Sequence, residues 1–304
     1  IFVGYRYFET IPGKKDAVVY PFGYGLTYTT FEISNVFVGG NEEQIFISAK
    51  VTNTGSRAGK EVVEVYYSAP EGKISKEKIA LIAFQKTPLL EAGKSCTVSM
   101  TFDIRDMASY DDMGDIEKSA YVLEKGDYRF FVGTSVRDTV CADYTYTLKE
   151  DVIVEKLNSY CAPRKLEKRL LADGTLRDVS AREDAEKTFP VAYHNEYKPL
   201  EKVIELYDVD EGKATLDEFI SQMSDEDLMD VLVGKRDTGV ANTGTMGGYE
   251  NRYRIPPIAT ADGPAGLRLH PKRGIRTTAF PIATALAASW NTELVEEVGK
   301  AGAL

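Results

Sequence analysis

Cys96-Thr97-Val98-Ser99-Met100-Thr101-Phe102-Asp103 decides the fold, because apolar and polar residues alternate along its whole length. Successive side chains of a strand point to opposite faces, so the pattern predicts a half-buried β-strand with Cys96, Val98, Met100 and Phe102 turned inward. Cys96 then reads as a small core residue. Working outward, the same period recurs at Ile45-Ile47-Ala49-Val51, Val63-Val65-Tyr67, Tyr128-Phe130-Val132 and Val140-Ala142-Tyr144-Tyr146. Turn strings separate these runs, namely Asn53-Thr54-Gly55, Glu91-Ala92-Gly93 and Lys125-Gly126-Asp127. Short alternating strands between regular turns over residues 31–150 predict an antiparallel β-sandwich. A Cys…Trp…Cys spacing is missing, which favours the fibronectin III type over the immunoglobulin type.

The flanks obey other rules. Residues 1–30 are rich in Gly and aromatics, as in Gly4-Tyr5-Arg6-Tyr7-Phe8 and Pro21-Phe22-Gly23-Tyr24-Gly25-Leu26. Repeated Gly and Pro predict irregular chain packed on something larger. Residues 151–214 carry charge without a steady period, for example Arg164-Lys165-Leu166-Glu167-Lys168-Arg169, and read as a linker. His194 lies in this stretch with no partner pattern around it. Helical signals begin at Thr215-Leu216-Asp217-Glu218, which spells a capping box. Ser224 followed by Asp225, Glu226 and Asp227 starts a second helix with acidic residues at its positive end, and Gly234 fits its C′ position. After the Gly-rich loop from Gly239 to Gly248 comes the apolar run Ile255 to Ala261, and Asn291 is placed to cap a last helix through Leu294, Val295 and Val298. Helix, strand, loop and helix at this spacing read as the start of a βα-type barrel or of a layered α/β domain over 215–304, too short to close an eight-stranded barrel.

Composition bounds the function. The chain has 304 residues, 37 Lys+Arg against 47 Asp+Glu, and a formal charge of -10. An acidic balance disfavours nucleic acid, whose binding runs on clustered cations. No stretch reaches the ~20 apolar residues of a membrane span. Cys96, Cys141 and Cys161 are too few and too scattered for a disulfide scaffold or zinc site. With only His194 and His270, a His-based triad or multi-His metal site has almost no material. Ile1 opens without Met and Leu304 falls inside a helical pattern, so both ends read as cut.

Chemical potential concentrates in Asp262-Gly263-Pro264-Ala265-Gly266-Leu267-Arg268. A carboxylate just after a strand, in a Gly/Pro loop, sits where barrel enzymes hold substrates. Asp262 can accept two hydroxyl hydrogen bonds and Arg268 can donate in a rigid fork, a complementary pair for a polyhydroxylated ligand. Asp-Gly-Pro is also a common turn string, so the residues alone leave a plain turn open. The Gly239–Gly248 loop lacks a phosphate-loop pattern, and Asp111-Asp112…Asp115 lacks ordered cation-ligand spacing and reads as a solvated loop.

These strings together resemble β-glucosidases of glycoside hydrolase family 3. Val3 to Phe8 with Pro21 to Phe31 resembles the family's exit from its α/β-sandwich domain, and Asn53 to Val62 with Leu81 to Lys86 resembles its fibronectin III-like domain. The Asp-Gly-Pro-Ala-Gly-Leu-Arg string, Thr278-Ala279-Phe280-Pro281 and Trp290-Asn291 resemble the opening of its barrel. The order resembles the family's inverted members, in which the barrel follows the fibronectin III-like domain. Arg254 departs from the pattern, standing where the family usually has Gly before Ile-Pro-Pro.

The resemblance implies four regions: 1–30 the tail of the α/β-sandwich domain, 31–150 the fibronectin III-like sandwich, 151–214 a linker, and 215–304 the barrel start. It implies a parent that cleaves terminal nonreducing β-D-glucosyl residues by retaining hydrolysis without cofactor or metal. Asp262 and Arg268 then line the subsite for the nonreducing glucose, and no catalytic residue is assigned. The nucleophilic Asp and acid/base Glu are expected outside this sequence, leaving the chain alone inactive. Expected partners are a β-glucoside or short β-gluco-oligosaccharide and the remaining domains of the polypeptide, with no nucleic acid and no membrane. A homo-oligomer stays open. Another glycone such as β-xyloside, or a noncatalytic binding or docking module, are the competing readings. Three unpaired-looking cysteines suit a cytoplasmic protein.

Overall fold

In the computed structural model, which describes residues 1–158, 166–179, 197–233, 244–246, 252–269 and 274–303, the chain forms two units, Ile1–Phe189 and Pro190–Leu304. His194, His270, Cys161, Gly234 and most of the Gly239–Gly248 loop lie outside the described residues.

In the first unit the alternating runs become strands β1 (Phe31–Gly40), β2 (Gln44–Asn53), β3 (Val62–Ser68), β4 (Ala80–Lys86), β5 (Ser95–Asp103), β6 (Ser109–Asp111), β7 (Ala120–Leu123), β8 (Gly126–Ser135) and β9 (Asp138–Leu148). Two antiparallel sheets, β1-β2-β5 and β4-β3-β8-β9, supply the inner faces of a sandwich. Ile45, Ile47, Val98 and Met100 from one sheet and Val63, Val65, Phe130 and Val132 from the other belong to one buried cluster. Cys96 packs half-buried against that cluster. The alternation fails at Val140, which is exposed. Its ladder with β8 shifts register between Arg129 and Phe131, whose partners Thr145 and Cys141 lie four residues apart on β9, so the strand carries two extra residues there and its alternation is interrupted.

The Asn53-Thr54-Gly55 turn is a buried polar joint. The Asn53 amide nitrogen donates to the carbonyls of Arg57 (2.7 Å) and Leu90 (2.8 Å). Its oxygen accepts from the Thr29 hydroxyl (2.8 Å) and the Gly55 amide (3.0 Å). A fully satisfied buried amide of this kind fixes three loops against one another.

Residues 1–30 are more ordered than the expected irregular chain, since Tyr5–Thr10 form helix α1. The Tyr5 ring stacks on Phe22 at 4.4 Å and meets Tyr66 edge-on at 6.2 Å. Tyr5 Oη accepts from the Leu81 amide (2.8 Å), Thr10 Oγ1 from the Lys78 amide (2.9 Å), and the Phe22 carbonyl from the Val136 amide (3.0 Å). Arg137 Nε also donates to Glu9 at 2.7 Å. This segment covers Glu64 and Tyr66, the outward residues of β3, and both are completely buried.

Two parts of the expected linker are strands of the same unit. Val152–Lys156 form β10, which pairs with β7 in the sheet β10-β7-β6. Lys168–Leu170 and Leu176–Asp178 form the hairpin β11-β12. Arg169 Nε meets Asp112 at 2.6 Å, Arg177 Nη1 meets Asp115 at 2.7 Å, and the Ala172 amide donates to Ser75 Oγ at 2.8 Å. Alternation could not reveal these pieces, whose short strands are held by pairing and charge.

Asp111 corrects the solvated-loop reading: it is fully buried and accepts the amides of Gly114, Asp115, Ile116 and Glu117 at 2.7–3.0 Å. Burial alone would raise its carboxyl, but the four amide donors outweigh that and hold it below the usual range.

The second unit contains α2 (Leu206–Asp210), α3 (Leu216–Ser221), α4 (Asp225–Leu232), β13 (Gly244–Met246), β14 (Ile258–Thr260), α5 (Ala283–Ala287) and α6 (Thr292–Ala303). Capping boxes open α3 at Thr215/Glu218 and α4 at Ser224/Asp227. Asn291 Oδ1 accepts the Leu294 amide at 3.1 Å and so caps α6. Phe219, Met223 and Tyr253 form a small buried core. Strand β14 pairs antiparallel with β13, whereas neighbouring strands of a (β/α)8 barrel run parallel.

Candidate functional site

Asp262 follows β14 by two residues, at the exit of the strand. Beyond it the chain doubles back on itself: the Arg268 amide donates to the Asp262 carbonyl at 2.7 Å and the Gly266 amide to the Gly263 carbonyl at 3.1 Å. Gly266 takes φ 104°, a conformation that L side chains rarely adopt. A Cβ there would also stand 2.1 Å from the Thr278 carbonyl oxygen. The Phe280 amide donates to the Ala265 carbonyl at 3.0 Å, which fastens the loop to the segment before α5.

This fold-back brings together both residues singled out from the sequence. Arg268 Nη1 lies 3.3 Å from Asp262 Oδ2, with side chains 72% and 38% exposed. They border an open hollow of about 360 Å³ that is also lined by Pro264, Leu267, Thr277 and Thr278. An acceptor and a fork of donors meet at one rim, with threonines beside them. Such a rim can exchange hydrogen bonds with adjacent hydroxyls of a polyol. The sequence assigned no role to Gly266, Thr277 or Thr278, although the second glycine of Asp-Gly-Pro-Ala-Gly was a visible sign of tight backbone approach.

On the same unit, Arg254 carries φ 56°, the left-handed region that favours glycine. Its guanidinium lies 3.5 Å from Glu205. Tyr253 beside it is buried, donates to Asp227 Oδ2 at 2.8 Å and lies 4.9 Å below the Arg252 guanidinium. Burial and the Asp227 carboxylate push the Tyr253 hydroxyl up to about 12. Asp227 thus ties α4 to the segment leading into β14. Among the described residues no group of His, Cys, Asp and Glu is placed to hold a metal ion, and no helix is long and apolar enough to cross a membrane.

The family model of the fibronectin type III-like domain matches residues 61–136. Beta-glucosidase A of Butyrivibrio fibrisolvens is 43% identical, covering 99% of this chain and 41% of that protein. A beta-glucosidase of Ruminococcus albus is 38% identical over 98% of the chain and 32% of that protein. Among solved structures, a beta-glucosidase from Paenibacillus barengoltzii matches 98% of this chain and 35% of its own with 40% identity and a TM-score of 0.81. The chain therefore spans about a third to two-fifths of the length of the relatives it matches. It carries a fibronectin type III-like domain within a sequence that is, over nearly its whole length, homologous to β-glucosidases of the glycoside hydrolase family 3 type.

Proposed function

We propose that the polypeptide carrying this chain is a β-glucosidase that removes terminal nonreducing β-D-glucosyl residues by retaining hydrolysis. One observation carries the reading: 98–99% of the chain aligns with proteins named β-glucosidase at 38–43% identity. In this reading residues 31–150 are the fibronectin III-like module, 1–30 belong to a preceding α/β-sandwich domain, and 151–214 connect to a barrel domain that opens at 215. Asp262 accepts hydrogen bonds from the hydroxyls of the bound glucose and Arg268 donates to them, which supports substrate orientation. Retaining hydrolysis needs two carboxylates about 5–5.5 Å apart. Neither is assigned within this sequence, so the chain supplies part of the substrate site and a docking module, and the chemistry is completed by other segments of the polypeptide.

The test assays the whole polypeptide with aryl β-D-glucoside and aryl β-D-xyloside side by side. Glucoside turnover is expected to exceed xyloside turnover, and Asp262→Ala is expected to lower kcat/KM for the glucoside at least ~100-fold. Faster xyloside cleavage overturns the glycone assignment, and unchanged kcat/KM in Asp262→Ala overturns the role of that residue. The isolated chain is expected to turn over neither substrate.

A further inference from the structure

Glu64 and Glu124 are both buried acids of the first unit, at 0% and 3% exposure. Glu124 is compensated: it pairs with the Lys76 ammonium and accepts the Lys73 amide at 2.6 Å. Glu64 is not. The Tyr66 hydroxyl donates to its Oε2, while Oε1 is buried with no hydrogen-bond partner. The backbone of Gly23 lies directly on this carboxyl, so close that a Cβ there would stand 2.4 Å from Oε2. An ionised carboxylate without full hydrogen bonding is costly in such a place, and a protonated one is not.

We propose that the segment from Ile1 to Gly25 is a pH-sensitive cover on the outer face of the β4-β3-β8-β9 sheet, held shut while the Glu64 carboxyl carries its proton. Burial favours that state, and the groups around the carboxyl act in both directions. From β3 comes Tyr66, and from the residue just before the strand comes Glu61, which raises the Glu64 carboxyl further. From α1 come Tyr5 and Glu9, both of which act on Tyr66. Glu9 is neutralised by Arg137 and Lys15, and Lys86 and Asp138 act on Glu61. Burial, aided by Glu61 and partly offset by the Tyr66 hydroxyl, pushes Glu64 up to about 7. A carboxyl raised in the closed state gives closure its full strength below its ordinary value of 4.5, and closure weakens as pH rises through about 7. Between about pH 5.5 and about pH 8.5 that shift multiplies the opening equilibrium roughly 30-fold.

Hydrogen exchange of the chain, corrected for intrinsic rates, reads the cover directly. The amides of Lys78, Leu81 and Val136 donate to Thr10, Tyr5 and Phe22 of the segment and serve as reporters. Their protection is expected to fall roughly 30-fold across that interval while β2 and β5 amides stay protected. In Glu64→Gln the reporters are expected to be insensitive to pH. Tyr66→Phe removes the donor that favours the ionised form, so the midpoint is expected to move upward. Equal wild-type protection at both pH values, or a Glu64→Gln variant that keeps the pH dependence, overturns the proposal. Should Glu64→Gln lose β2 and β5 protection altogether, the Tyr66→Phe midpoint decides, and one that is unmoved or lower overturns it.

Discussion

Gly266 and the Thr278 carbonyl occupy adjoining space with no room for a methyl group between them, since a Cβ on Gly266 would stand 2.1 Å from that oxygen. The loop bearing Asp262 and Arg268 is therefore shaped from behind, by backbone meeting backbone. Gly266→Ala combines an unfavourable φ with a clash that no side-chain rotation relieves. It is expected to destabilise the second unit by about 2–4 kcal/mol. Chemical denaturation followed by a probe in residues 197–303 checks this, and a loss below about 1 kcal/mol would show that the loop yields.

Arg254 makes the opposite case. It holds φ 56° with its side chain 66% exposed, 3.5 Å from a half-exposed Glu205. An exposed pair of that kind contributes about 0–1 kcal/mol, whereas left-handed backbone costs a non-glycine residue about 1–2. Arg254→Gly is thus expected to raise the stability of the second unit by up to about 1 kcal/mol, read as a higher denaturation midpoint at unchanged slope.

Asp111 predicts an acid limb in the stability of the first unit. Its folded carboxyl is held below the ordinary 3.8, so its contribution is present above that value and is lost as pH falls through the depressed one. Each oxygen accepts two amides. Asp111→Asn turns one oxygen into a donor facing two donors, at an expected loss of about 2–4 kcal/mol near neutral pH. The difference from wild type should shrink as pH falls below the ordinary 3.8 and through the depressed value, which pH-dependent urea unfolding would reveal.

The buried Lys76–Glu124 pair gives an order of effects. Removing one partner strands the other, at about 3–5 kcal/mol. Glu124 also accepts the Lys73 and Ile74 amides, so Glu124→Ala orphans backbone donors in addition. Glu124→Ala is expected to lower the denaturation midpoint more than Lys76→Ala, and the reverse order would mean that the amides find water.

What the sequence disclosed followed the range of the forces involved. The inward residues of β2, β5 and β8 were legible because alternation along one strand suffices to place them. The capping box at Thr215/Glu218 and the helix start at Ser224 were legible for the same reason, each being decided within four residues. Glu64 and Tyr66 were not, because their burial depends on a segment some 40 residues earlier in the chain. Asp111 looked solvated because its partners are backbone amides, which leave no trace in residue identity. At the candidate site Asp262 and Arg268 could be named from their types, while their approach rests on the turn at Gly266, where only geometry tells a structural glycine from a flexible one.

Strand β10 has a practical bearing on how the sandwich is bounded. The period-two pattern fades near residue 150, yet Val152–Lys156 complete the ladder along one side of β7. A truncation at residue 150 would uncover a row of unpaired backbone donors and acceptors beside the buried Val122 and Leu123. Such an edge invites strands of other molecules to add to it, so a shortened module would be prone to self-association through β7.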